Sequence, residues 1–147
     1  MKTFSNFALI VIFTFSALVT KAGDADDLLG IWFNQEKDAK IEIYKCGTKF
    51  CGKIVWLEEP NEEDGTPKID DENPDEILQN RPIMGLNILS DFVFEEDNLW
   101  EDGDIYDPKE GKTYSCYLKL ETEKKLKVRG YIGFSLIGKT NYWTRPE

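Results

Sequence analysis

Beyond residue 28 the chain carries apolar side chains at every second position, in short runs broken by Gly, Asp, Asn and Pro. A period of two sends alternate side chains to opposite faces of an extended strand, so the pattern predicts an all-β domain. Strands are expected near 29–35, 39–46, 51–57, 86–96, 99–101, 104–106, 112–121, 125–134 and 138–145. Tight turns between consecutive runs imply a meander. A meander of about eight to ten strands closes most economically into an up-and-down antiparallel β-barrel, because closure removes the exposed strand edges. The stretch 57–80 interrupts the alternation. Within it, Asn73, Pro74, Asp75 and Glu76 read as a cap, a first helical residue and an acidic first turn, which predicts a short helix near 74–79. Such an insertion could lie over one mouth of the barrel.

Two hairpins can be registered from their side chains. In "IEIYKCGTKFCGKIVW", residues 41–56, setting Cys46 opposite Cys51 pairs Tyr44 with Lys53, Glu42 with Val55, Ile43 with Ile54 and Ile41 with Trp56. The bulky apolar residues then share one face, and the same pairing predicts a Cys46–Cys51 disulfide that holds the register. A redox-active pair is the weaker reading, since the Cys-x-x-Cys spacing is missing. In "TYSCYLKLETEKKLKVRGYIGF", pairing Leu120 with Leu126 and Leu118 with Val128 sets Cys116 opposite Gly130 on the apolar face. A buried, unreactive thiol is expected there; an intermolecular disulfide is the alternative for an odd cysteine.

A disulfide implies an oxidising compartment. The N-terminus agrees: a basic start at Met1-Lys2, a 13-residue apolar core from Phe7 to Val19, and Thr20-Lys21-Ala22 ending in a small residue. This pattern predicts an export signal over residues 1–22, cleaved after Ala22, because the apolar core is shorter than the ~20 residues that span a bilayer. Residues 23–147 then form one domain around one core. Removal of Lys2 and Lys21 takes the net charge from −10 to −12. So acidic a surface repels nucleic acid and anionic membranes. The absence of histidine removes the commonest general base and transition-metal ligand.

Four candidate sites remain. The 57–80 tract holds ten acidic residues and one lysine, which suggests calcium, although the spacing matches no EF-hand loop and a solvated acidic loop accounts for it equally. Asp102-Gly103 reads as a two-residue hairpin turn that sets Glu101 opposite Asp104; a cation held by Glu101, Asp104 and Asp107 would relieve their repulsion, as would plain exposure to solvent. Trp56 and Trp100 could line a cavity for a lipid or another apolar ligand, or fill the barrel interior. Arg129 and Tyr131 could hold a ligand carboxylate if both pointed inward, but the register groups them with Tyr117, Lys119 and Lys127 on an exterior face.

"GIW" at 30–32, "CGTKFCGKIVWL" at 46–57, "NPD" at 73–75, "RPIMGLNIL" at 81–89, "DIYDPKEGKTYSCYLKL" at 104–120, "LKVRGYIG" at 126–133 and "YWTR" at 142–145 resemble the exported bacterial family called domain of unknown function 2147. The resemblance implies a small lipocalin-like barrel, similar also to fatty-acid-binding proteins, in the periplasm of a Gram-negative bacterium or secreted. It carries no established activity. Gly30-Ile31-Trp32 looks like the lipocalin Gly-x-Trp signature, in which the tryptophan plugs one barrel end and an arginine of the final strand packs over it. Arg145 stands where that arginine is needed, which implies a structural closure by Gly30, Trp32 and Arg145. The expected function is non-enzymatic binding of a small apolar or amphipathic molecule such as a lipid or fatty acid, with no cofactor. The alternative is a filled-core envelope protein that acts through its acidic surface on calcium or a basic protein partner.

Overall fold

The computed structural model describes residues 23–147 apart from Ser135; the predicted export signal lies outside the described residues. Eight antiparallel strands close into one barrel in sequence order: β1 (Gly30–Phe33), β2 (Ala39–Cys46), β3 (Lys49–Leu57), β4 (Asn87–Phe94), β5 (Leu99–Asp107), β6 (Lys112–Thr122), β7 (Lys125–Tyr131) and β8 (Gly138–Thr144). Closure between β1 and β8 rests on the pair Phe33 and Thr144. No helix among the described residues is long and apolar enough to cross a membrane.

Three sequence expectations are corrected. First, the opening hairpin pairs Cys46 with Lys49 and Tyr44 with Cys51, so it turns on Gly47 and Thr48 alone. Gly47 has φ +70°, the left-handed conformation that the first position of a tight II′-type hairpin turn requires. The cysteines therefore sit diagonally, and their Cα atoms, 5.8 Å apart, still permit the Cys46–Cys51 disulfide. Further along, an irregularity opposite Lys40 and Ile41 leaves Val55 as an extra residue, so Ile41 pairs with Ile54 while Trp56 pairs with Lys40 on the outside. Second, Asp102-Gly103 makes no turn. Both lie within β5, where Asp102 at φ +59° forms a bulge between Trp100 and Gly103, and the two short strands expected there are one. The real β4–β5 turn is Asp97-Asn98, both at positive φ. Third, residues 74–79 form successive turns, with Leu78 N–H bonded to Asp75 O and Gln79 N–H to Glu76 O. Asn73 does cap Asp75 N–H as expected, but Asp75 Oδ1 then takes Ile77 N–H, and such local side-chain bonds compete with a helical ladder. A 3-10 turn occurs instead at Ala25–Leu28, ahead of β1.

The second registered hairpin follows its expected pairing, with Leu120 opposite Leu126, Leu118 opposite Val128 and Cys116 opposite Gly130. The Cys116 thiol is wholly buried and free. Burial pushes its pKa far above the ordinary cysteine range.

The barrel has two unlike halves. The end bearing the Gly47-Thr48, Asp97-Asn98 and β6–β7 turns is filled by Trp32, Phe50, Leu89, Phe92, Trp100, Leu118 and Leu126. The filling is tight: a Cβ on Gly103 would overlap the ring of Phe92, and one on Gly52 would lie 2.8 Å from Leu89 Cδ1. The opposite end carries the β1–β2, β3–β4, β5–β6 and β7–β8 connections.

Replacing Cys46 and Cys51 by alanine should lower unfolding free energy by about 2 kcal/mol, the chain-entropy value for so short a loop, in urea titration. Native Cys116 should resist iodoacetamide at mildly alkaline pH and react once urea unfolds the chain. Its raised folded pKa also means that the unfolded chain ionises first, so stability should decline as pH rises above the ordinary thiol range.

Candidate functional site

Inward positions of the strands wall a cavity of about 1210 Å³ in the open half of the barrel. Its walls are apolar: Ile41 and Ile54 on β2 and β3, Ile88 and Ile105 on β4 and β5, Val128 on β7 and Trp143 on β8. Gly130 also faces inward. A Cβ there would make only ordinary contacts, 3.4 Å from Ile105 Cγ2 and 3.6 Å from Tyr114 Cβ, so the missing side chain leaves room for something else. Asn141, on the same side of β8 as Trp143, borders the cavity, although its Oδ1 is shut off from it and receives no hydrogen bond among the described residues. The lip is acidic, with nine carboxylates and three lysines, and part of it comes from the 57–80 tract. On its β7–β8 side the lip is apolar: Phe134 and Leu136 are 74% and 90% exposed, and Ile132 and Ile137 border the cavity itself.

The other end is stoppered. The Trp32 ring is fully buried, and its Nε1–H donates to Leu28 O at 2.9 Å. The Arg145 guanidinium lies 3.9 Å from the ring centroid and donates to Leu29 O at 2.8 Å and Asp27 O at 2.9 Å. It thereby ties the C-terminal strand to the 3-10 turn and satisfies carbonyls that the turn leaves open. Gly30 takes φ +110° and passes so close beneath that a Cβ would lie 2.8 Å from Arg145 Nη1. Glycine is required there on both counts.

The open end is held by a cluster that the sequence concealed. Asp70 is completely buried, and its carboxylate accepts from Tyr106 Oη at 2.7 Å, Asn73 Nδ2 at 2.8 Å and Arg81 Nε and Nη2, each at 2.8 Å. Arg81 also lies over the Tyr106 ring. Burial, and then the bond to Asp70, raises the Tyr106 pKa. The cluster clasps the long β3–β4 connection to β5. A partial signal existed: Asn73, Arg81 and Tyr106 fall in three of the segments that resemble the family, whereas Asp70 is one acidic residue among ten in its tract.

Several expected site residues are elsewhere. Trp56 stands outside the barrel in a row with Phe33 and Lys40, its ring 5.9 Å from Phe33. Trp100 is buried in the filled half, packed on Phe94 and Phe50, and does not border the cavity. Arg129 points outward, donating to Thr140 Oγ1 at 2.8 Å and Leu136 O at 3.2 Å, so it cannot receive a carboxylate inside. Tyr131 borders only the lip, its ring 6.4 Å from that of Tyr117. Because β5 runs unbroken, Glu101, Asp104 and Asp107 are strung along it opposite Val93, Ser115 and Lys112 and form no common site. Among the described residues no three acidic or thiol side chains gather to hold a metal.

Replacing Arg145 by alanine should cost on the order of 2 kcal/mol in chemical denaturation, through the lost cation–π contact and charged hydrogen bonds, with lysine restoring only part. Replacing Asp70 by asparagine should accelerate amide exchange across 57–86 while β6 and β7 stay protected, since one clasp is lost and the core is untouched.

No curated protein matches the chain. Among solved structures it is similar to "Protein HP1028 from the human pathogen Helicobacter pylori belongs to the lipocalin family", with 26% identity, a TM-score of 0.71, and coverage of 82% of this chain and 83% of that one. A single-mouthed, tryptophan-stoppered barrel of eight strands agrees with that likeness. Residues 30–145 match the family model described as an uncharacterized protein conserved in bacteria, DUF2147, and the chain belongs to that family.

Proposed function

We propose that this protein is an exported, non-enzymatic binding module that holds a small apolar or amphipathic molecule in the open half of its barrel. The cavity is the observation that carries this reading. At about 1210 Å³ it is large enough for a lipid-sized guest, and its walls are apolar. A filled-core protein acting only through its acidic surface would have no use for such a space, least of all at Gly130, where a side chain would fit and none is present.

Two features support the absence of catalysis. The chain has no histidine. The buried carboxylate at the open end, Asp70, has its hydrogen-bonding capacity taken up by Tyr106, Asn73 and Arg81, which leaves it no opening to a substrate. The Cys46–Cys51 disulfide supports export to an oxidising compartment, with the Gram-negative periplasm as the proposed location.

The neutral apolar dye N-phenyl-1-naphthylamine should bind the mature chain with a rise in emission. Replacing Gly130 by phenylalanine should weaken that binding at least tenfold and leave the melting temperature nearly unchanged, because the new ring extends into space. A dye that binds both proteins equally, or neither, would sink the binding reading.

A further inference from the structure

The chemistry of the mouth selects among amphipathic guests, and the selection rests on the binding reading above. Of the lip's three lysines, Lys68 lies 3.7 Å from Glu59 and Lys109 lies 3.6 Å from Asp38, so two are committed to carboxylates. Lys139 is the third, exposed at the outer edge of β8. Against these, Glu58, Glu62, Asp71 and Glu72 border the same opening with no lysine or arginine in ion-pair range among the described residues. These carboxylates share one rim, and charges within a Debye length of ~8 Å add their fields at physiological salt.

Two tyrosine hydroxyls of the lining are already committed within the protein. Tyr106 donates its hydroxyl proton to Asp70, and Tyr114 donates its own to Glu110 at the lip. That bond raises the Tyr114 pKa, which keeps its proton in place. These two phenolic donors are therefore used within the protein, while Tyr131 borders only the lip.

We propose that the cavity takes an amphipathic cation, an apolar body carrying a protonated amine, and that it disfavours the fatty-acid anion of the same length. The apolar body lies against Ile41, Ile54, Ile105 and Val128, while the ammonium meets the acidic lip.

Isothermal titration of the mature chain with dodecylamine, dodecanol and dodecanoate, each below its micellar concentration at neutral pH, tests the proposal. The amine should bind at least tenfold tighter than the acid, with the alcohol between them. The gap should shrink severalfold near 1 M salt, where the Debye length falls to ~3 Å. Replacing Glu58 and Glu62 together by glutamine should narrow it without weakening the alcohol. If the alcohol binds but the amine does no better than the acid, the charge selection is wrong and the carrier reading stands. If the amine binds the Gly130→Phe variant as well as the native chain, it sits on the acidic exterior and the proposal falls. If none of the three binds, both readings fall together.

Discussion

Arg145 stacked on Trp32 is the contact on which the architecture turns. An eight-stranded barrel is narrow enough for side chains to fill, and each end must either be packed or opened to water. Here the segments that flank the first and last strands meet at one barrel end: the 3-10 turn before β1 offers its carbonyls, and the residue after β8 supplies a guanidinium that bonds them and covers the indole. Burial works against the charge on Arg145, lowering its pKa from the usual value, while Asp27 favours it. The contact also compensates for a thin seam, since β1 and β8 share one paired position. With that end sealed, apolar volume left over in the other half becomes a cavity with one mouth.

The mouth depends on a second polar device of opposite sign. A carboxylate as fully buried as Asp70 is tolerated only when its lone pairs are matched by donors, and Arg81, Asn73 and Tyr106 provide them. That requirement orders a long acidic connection which would otherwise have little apolar surface to pack. Ile54 N–H and C=O, bonded to Leu86 O and Gly85 N–H, join the far end of the connection to β3. The acidic residues left over from this clasp form the lip.

Glycine placement divides filled from hollow. Gly52 and Gly103 lie under Leu89 and Phe92, so the space above them is already occupied. Gly130, on an inward position of β7, borders the cavity, and a Cβ there would make only ordinary contacts with Ile105 and Tyr114. The same residue type thus means close packing in one half and vacancy in the other.

The fold class, the strand order and the disulfide could be read from the residues alone, because a period-two pattern, short turns and two nearby cysteines are local signals. Its reach ended where one extra residue in a strand mattered. The bulge at Val55 reverses facing without disturbing alternation on either side, so Trp56 moved outside, and Asp102-Gly103 is a bulge within one strand where a turn was expected, so Glu101, Asp104 and Asp107 came apart along β5. The Gly30, Trp32 and Arg145 stopper was legible through family resemblance, though not from local pattern. Asp70 was not, since a buried carboxylate and a solvated one are the same letter until distant donors surround it. That half the barrel is hollow emerges with the packed strands, because cavity volume is a difference between what the backbone encloses and what side chains from every strand fill, and no single segment carries it.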